Sequence, residues 1–169
     1  MFGLFRRKWT VEETAEAFPL WEGRVNVCLY TKLEAELIAR GLPNETSGKI
    51  AAQGVNYVTG VDWEAVVSNA PPEIKSVVEA HKSEIEPAIG ALLAKDKSCR
   101  EIVVYFLRIK TVLFAALYGF EVWAKNPMQG RIHQILSVYG QEFPKEADPG
   151  KFSVMVLDFQ HKIFPQKHD

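Results

Sequence analysis

Apolar side chains recur three and four residues apart along most of the chain, which is the spacing of one face of an α-helix. The clearest example lies between 74 and 92, where the apolar positions keep one helical phase across Pro87. Proline removes a backbone donor and crowds the preceding turn, so we expect a kink there rather than two unrelated helices. The pattern predicts an all-α protein built from amphipathic helices that share one core.

Local start signals divide this pattern into about six or seven helices. Each signal places a capping side chain before a first turn, either in the reciprocal capping box or ahead of a proline. The signals are Thr10 with Glu13, Ser98 with Glu101, Asn126-Pro127 and Asp148-Pro149. The predicted helices are about 11–18, 24–40, 49–59, 74–92 and 99–125, one from 127 to near 140, and a segment from 149 onward. The first of these is expected to stop at Pro19 because proline cannot continue the hydrogen-bond ladder.

The longest predicted helix, 99–125, is apolar around nearly its whole circumference, as a helix packed by neighbours on most sides would be. Three charged residues interrupt its most apolar stretch, 102–124: Arg108, Lys110 and Glu121. They either share a narrow exposed strip with Arg108 at its edge, or they line a polar cavity, because an unpaired buried charge is costly. We expect this helix to run through the centre of a single-domain bundle.

Two short segments, 24–30 and 152–157, alternate apolar and other residues as strands do, so a small sheet remains an alternative to helix there. The chain shows no internal repeat and no Gly/Ser-rich linker that would mark a second domain. Residues 1–9, with aromatic residues around a basic triplet, are expected to form a mobile tail. Residues 10–169 are expected to form one helical domain.

Composition narrows the functional classes. The net charge of −1 lacks the basic excess typical of nucleic-acid binding, and the most apolar segment carries three charges, which disfavours an integral membrane span. The two cysteines, Cys28 and Cys99, form no CxxC pair and no metal-ligand cluster. We therefore predict free thiols in a soluble, cytoplasmic protein that needs no metal or cofactor, with Cys28 acting as a small buried hydrophobe.

No catalytic motif is present, so the sequence favours a non-catalytic protein that binds a protein partner or associates with itself. The candidate interaction surface is the apolar face formed by Phe152, Met155, Phe159 and Ile163, which could equally complete the core. The alternative is a small-ligand-binding protein or small enzyme with an anion-accepting pocket beside the central helix. The candidate ligand residues for that pocket are Arg108, Tyr105, Thr111 and Tyr118.

Overall fold

The computed structural model describes residues 7–60, 63–142 and 148–165, except for the side chains of Trp63 and Glu64. In this part of the chain every regular element is a helix. The helices are α1 (Val11–Ala39), α2 (Asn44–Thr59), α3 (Trp63–Ser68), α4 (Pro72–Lys95), α5 (Lys97–Tyr118), α6 (Phe120–Ala124), α7 (Gln129–Val138) and α8 (Pro149–Ile163). The all-α prediction is confirmed, and the strand alternative for 24–30 and 152–157 is wrong, because both segments lie inside helices.

Helix α1 is a single element of 29 residues, so the predicted break at Pro19 does not occur. It opens with the predicted capping box, in which Thr10 Oγ1 accepts from the Glu13 amide and the Glu13 carboxylate accepts from the Thr10 amide. Beyond Pro19 a stripe with four-residue spacing is buried: Trp21, Val25, Leu29, Leu33 and Leu37. Burial of each such side chain contributes about 1.5–3 kcal/mol, which together exceeds the cost of about 3 kcal/mol for an internal proline.

Helix α5 is central as predicted, but both of its ends differ from the prediction. It begins at Lys97 with Asp96 as its N-cap, because Asp96 Oδ1 accepts from the Cys99 amide at 2.8 Å; Ser98 is therefore inside the helix. It ends at Tyr118, where Gly119 has φ +91° and turns the chain into the short helix α6. That left-handed region favours glycine, so the predicted single helix 99–125 is divided in two.

The remaining helices follow the predicted order with shifted boundaries. Helix α4 runs unbroken through Pro87, as its constant apolar phase predicted. Helix α8 is capped by Asp148 with Pro149 as its first residue, as predicted. Helix α2 begins five residues earlier than predicted, and α7 begins at Gln129 after a turn in which Asn126 Oδ1 accepts from the Met128 amide.

Among the described residues, one core takes buried side chains from every helix except α3, and aromatic rings are concentrated in it where α1, α5 and α8 meet. Trp21 contacts Phe159 edge to face, and Phe106 stacks on Phe18 with ring centroids 5.3 Å apart. Trp9, in the segment predicted as a tail, packs on Trp21 at 5.4 Å, so this residue belongs to the domain. Arg7 of the same segment pairs with Glu13 at 2.9 Å, whereas residues 1–6 of the predicted tail lie outside the described residues.

Helix length and hydropathy bear on membrane association. Among the residues that the structure describes, no helix is long and apolar enough to cross a bilayer.

Candidate functional site

A groove of about 660 Å³ runs along the outside of α1 where it meets α5 and α8. Its walls are mainly apolar, with Pro19, Leu20, Gly23, Val25 and Val27 from α1, Ile102 from α5 and Ile163 from α8. Arg24, Cys28 and Lys162 add two positive charges and a thiol to the same walls. The groove thus combines an apolar surface with a cationic rim beside the central helix.

One face of α1 leaves large apolar side chains in solvent at this groove. Leu20 is 61% exposed and Val27 is 67% exposed, and Arg24 lies between them. These three residues are spaced i, i+4 and i+7, so they project from the same side of the helix. Leu20 and Val27 stand roughly 10 Å apart along the helix axis, which is two helical turns. Isolated exposed apolar residues are ordinary, but a spaced pair beside a groove indicates a contact surface.

The two cations of the rim are held in place by aromatic rings. The Lys162 ammonium lies 3.7 Å from the centroid of the Tyr105 ring, and its Nζ is 3.6 Å from Glu101 Oε2. The Arg24 guanidinium lies 5.1 Å from the centroid of Phe164. Cation–π contacts orient a charge without neutralising it. The rim of the groove therefore keeps a positive field, which is stronger at the exposed Arg24 because Lys162 also faces a carboxylate.

At one wall of the groove the structure brings the two cysteine thiols together. Cys28 is half-buried and Cys99 is buried, and the two side chains are within hydrogen-bonding reach of each other. Lys32, one turn after Cys28 on α1, forms an ion pair with Asp96, the N-cap of α5. Asp96 also accepts from the Cys99 amide, so this carboxylate connects the lysine to the start of the helix that carries Cys99.

The two thiols share their charged neighbours, Lys32 and Asp96, but their pKa values shift in opposite directions. A hydrogen bond from Cys99 stabilises the Cys28 thiolate and, with help from the Lys32 ammonium, lowers the pKa of Cys28 to about 6, although burial and Asp96 act in the other direction. The same hydrogen bond, together with burial, raises the pKa of Cys99 well above its ordinary range. The expected simple role of Cys28 as a buried hydrophobe is therefore wrong, because its sulfur lies at a groove and beside a donor and a cation.

The charges of the central helix do not share one exposed strip. Lys110 is largely buried, donates to the Thr59 carbonyl at 2.6 Å and has its Nζ 3.7 Å from Glu22 Oε1. Burial lowers the pKa of Lys110, while Glu22 opposes that shift. Glu121 is exposed on α6, beyond the glycine turn. The strip predicted for Lys110 and Glu121 is thus divided between two helices.

The candidate anion-site residues each contact a different neighbour. Arg108 is half-buried, and its Nη1 donates to Gln141 Oε1 at 3.1 Å. Thr111 is fully buried and donates to the Leu107 carbonyl, and Tyr118 is 61% exposed against Phe114. Tyr105 carries the Lys162 ammonium on its ring. Tyr105 is linked to the groove through Lys162, which lines it.

The apolar face of α8 completes the core. Phe152, Met155 and Phe159 are buried, so these three side chains do not form an outer surface. Ile163 is half-buried and lines the groove. Of the two roles that the sequence left open for this face, the structure therefore places most of it in the core and one residue at the groove.

The residues at the groove that sequence reasoning missed are Leu20, Arg24, Val27 and the Cys28–Cys99 pair. One local signal existed: Cys28 and Lys32 have the i, i+4 spacing that places a cation beside a thiol on one helix face. The pairing of Cys28 with Cys99 had no local signal, because it depends on how α1 crosses α5.

Within the described ranges no cluster of three or more metal-ligating side chains occurs. Compared with known protein families, curated proteins and solved structures, the chain has no match.

Proposed function

We propose that this protein is a binding protein whose α1–α5–α8 groove receives an apolar, acidic helical segment of a protein partner. The observation that carries the proposal is the pair of exposed apolar residues, Leu20 and Val27, on either side of Arg24 at the groove. A partner helix with apolar residues at i and i+7 would match their separation of two turns. Acidic residues on its flanks would meet Arg24 and Lys162, because complementary charge guides encounter and register.

A helical segment suits the shape of this groove better than a small molecule does. Leu20 and Val27 project outward from an open surface, whereas small-ligand sites enclose most of the ligand. Projecting apolar side chains become buried only when a partner supplies its own pockets or ridges around them. The geometry of the groove therefore supports a binding protein, which is the same function class that the absence of catalytic motifs favours.

Site-specific photocrosslinking in cells tests the proposal. A photoreactive phenylalanine derivative at position 27 should capture one defined protein, and the capture should be lost when Leu20→Asp and Arg24→Glu are added. The matched control carries the same photoreactive residue at position 138, because Val138 is 68% exposed and is not part of the groove. Equal capture from positions 27 and 138, or capture insensitive to the two groove substitutions, would refute the groove as the binding surface.

Self-association is a distinct outcome of the same experiment. If the captured protein is a second copy of this chain, light scattering at rising concentration should show a dimer that Leu20→Asp dissociates. Two exposed apolar side chains, Leu20 and Val27, are expected to support only a weak dimer, since stable interfaces bury about 1,200–2,000 Å².

The small-ligand alternative is supported by one observation at a different place. The Nε atom of Arg108 is buried without a hydrogen-bond partner among the described residues. A buried donor left unpaired is costly, so an anion that accepts from it would stabilise the protein. Inorganic phosphate and small carboxylates should then raise the melting temperature of the parent but not of Arg108→Met, and the absence of any shift in the parent would remove this alternative.

A further inference from the structure

Cys28 and Cys99 differ in solvent access and in nucleophilicity, the two properties that decide which sulfur is oxidised first. Cys28 lies on a wall of the groove and is half-buried, so small molecules from solvent can reach its sulfur. Cys99 is 1% exposed, and its side chain lies beside that of Cys28. One sulfur is thus an accessible nucleophile, and the other is shielded and held beside it.

We propose that Cys28 and Cys99 form a redox-active pair, in which a hydroperoxide oxidises Cys28 and Cys99 then closes an intramolecular disulfide between α1 and α5. This assignment rests on the mutual contact of the thiols, on access through the groove and on the Lys32–Asp96 ion pair beside them. It is independent of the partner that the groove binds.

The chemistry proceeds in two balanced steps. The Cys28 thiolate attacks the terminal oxygen of the hydroperoxide, the O–O bond breaks, and the departing alkoxide or hydroxide takes a proton from solvent. Cys28 is then a sulfenic acid, oxidised by two electrons, and the hydroperoxide has become an alcohol or water. The Cys99 sulfur next attacks Cys28 Sγ, the S–O bond breaks, and water leaves with the proton of the Cys99 thiol. An external dithiol supplies the two electrons that restore both thiols.

The ion pair between Lys32 and Asp96 makes the surroundings of the two thiols electrically asymmetric. Lys32 is one helical turn from Cys28, and its charge favours the thiolate, while Asp96 fixes that ammonium and at the same time caps the helix that carries Cys99. Arg24 and Lys162 add positive charge along the same groove. Asp96 disfavours the Cys28 thiolate directly, and its ion pair with Lys32 offsets that repulsion.

The low pKa of Cys28 sets a pH range in which the site differs most from an ordinary thiol. At pH 7 a thiol with a pKa near 6 is about 90% ionised, against about 1% for a pKa near 9. Intrinsic nucleophilicity falls with pKa, by a factor on the order of 20 over three pH units, so the net advantage at pH 7 is roughly 4-fold. At pH 5.5 the same reasoning gives roughly 30-fold; the advantage disappears between about pH 7.5 and 8, and at pH 9 the ordinary thiol reacts roughly 10-fold faster.

The decisive measurement is the intact mass and thiol count of the full chain after treatment with hydrogen peroxide. We expect two titratable thiols to become none, with a monomer mass lower by about 2 Da that dithiothreitol restores. In Cys99→Ser, Cys28 should instead gain about 16 Da and react with dimedone, which traps sulfenic acids. Cys28→Ser should leave Cys99 unreacted. Both thiols surviving in the folded parent, or disulfides formed only between chains, would overturn the proposal, and this readout does not depend on any variant folding.

A second measurement separates an activated pair from two merely adjacent cysteines. The rate of Cys28 alkylation by iodoacetamide should follow a titration with its midpoint near pH 6, and at pH 5.5 it should exceed that of a small thiol of ordinary pKa by roughly 30-fold. Lys32→Met should move the midpoint upward. The matched control is Lys49→Met, which removes an i, i+4 ion pair with Glu45 on α2 and should leave the midpoint unchanged. A midpoint near 9 in the parent would show that Cys99 and Lys32 do not activate Cys28.

Discussion

A substitution at Gly54 tests how closely α2 packs against α1. The groove runs along α1, so its position depends on this packing. A Cβ added at Gly54 would overlap Leu33 Cδ2 and would lie 3.6 Å from Ile85 Cγ2. Leu33 is 1% exposed, so its side chain has little room to move away. Gly54→Ala therefore introduces a methyl group into a filled core, which typically costs 1–3 kcal/mol.

Gly90 provides a matched control on α4. It lies in the interior of a long helix, is exposed, and has no atom within 4 Å of the position that a Cβ would take. Gly90→Ala should stabilise the protein by about 1 kcal/mol through helix propensity, and Gly54→Ala gains the same contribution. The difference between the two variants isolates the steric cost, so we expect Gly54→Ala to be about 1–3 kcal/mol less stable than Gly90→Ala.

Urea unfolding followed by circular dichroism measures this difference, which corresponds to about 3–9 °C in melting temperature for a chain of this length. Leu33→Val removes the overlapped Cδ2, so it should recover part of the loss when combined with Gly54→Ala, as a coupling energy in a double-mutant cycle. Equal stability of Gly54→Ala and Gly90→Ala would refute the close approach of α1 and α2 at Leu33.

Three further predictions concern other parts of the fold. Thr10→Ala should lower the free energy of unfolding by about 1 kcal/mol in thermal or urea melts, because it removes the acceptor for the Glu13 amide. Phe159→Asp should abolish cooperative unfolding, since its side chain is fully buried; a folded variant with an unchanged melt would contradict the core position. The buried charge of Lys110 is predicted to destabilise the folded state at pH values below its lowered pKa. As pH rises from that pKa toward about 10.5, this destabilisation should decrease, because the unfolded chain binds more protons than the folded chain over that range. The stability difference between the parent and Lys110→Met should therefore change with alkaline pH, and a constant difference would contradict the burial of this charge.

Local signals predicted the helices well where one signal acted alone. Asp148 and Pro149 begin α8 as predicted, since a capping carboxylate and a proline at the first position act within one turn. At α5 two capping residues competed, and Asp96 rather than Ser98 begins the helix, where its carboxylate also pairs with Lys32 from α1. The choice between two adequate caps thus involved a partner that lies far away in sequence.

The predicted break at Pro19 and the residues of the groove show more strongly that local signals do not determine tertiary contacts. Pro19 was predicted to end its helix because the local cost is large, but the buried stripe beyond it, and Phe18 stacked on Phe106 just before it, made one helix more favourable. The contact of Cys28 with Cys99 and the groove itself arise where α1 crosses α5 and α8. Helical periodicity identifies which face is buried, but it does not identify the helix that covers that face.

The contact between the first and last described helices has a consequence for how the protein is made. Ser153 Oγ donates to the Trp9 carbonyl at 3.5 Å, and Trp21 meets Phe159 edge to face. On a ribosome that adds about 5–20 residues per second, α8 follows the end of α1 by roughly 5–20 s. Throughout that interval the face of α1 around Trp21 lacks the cover that α8 will provide. The nascent chain therefore exposes aromatic side chains of α1 that are buried in the finished protein, and a chaperone that recognises aromatic segments would have this interval in which to bind them.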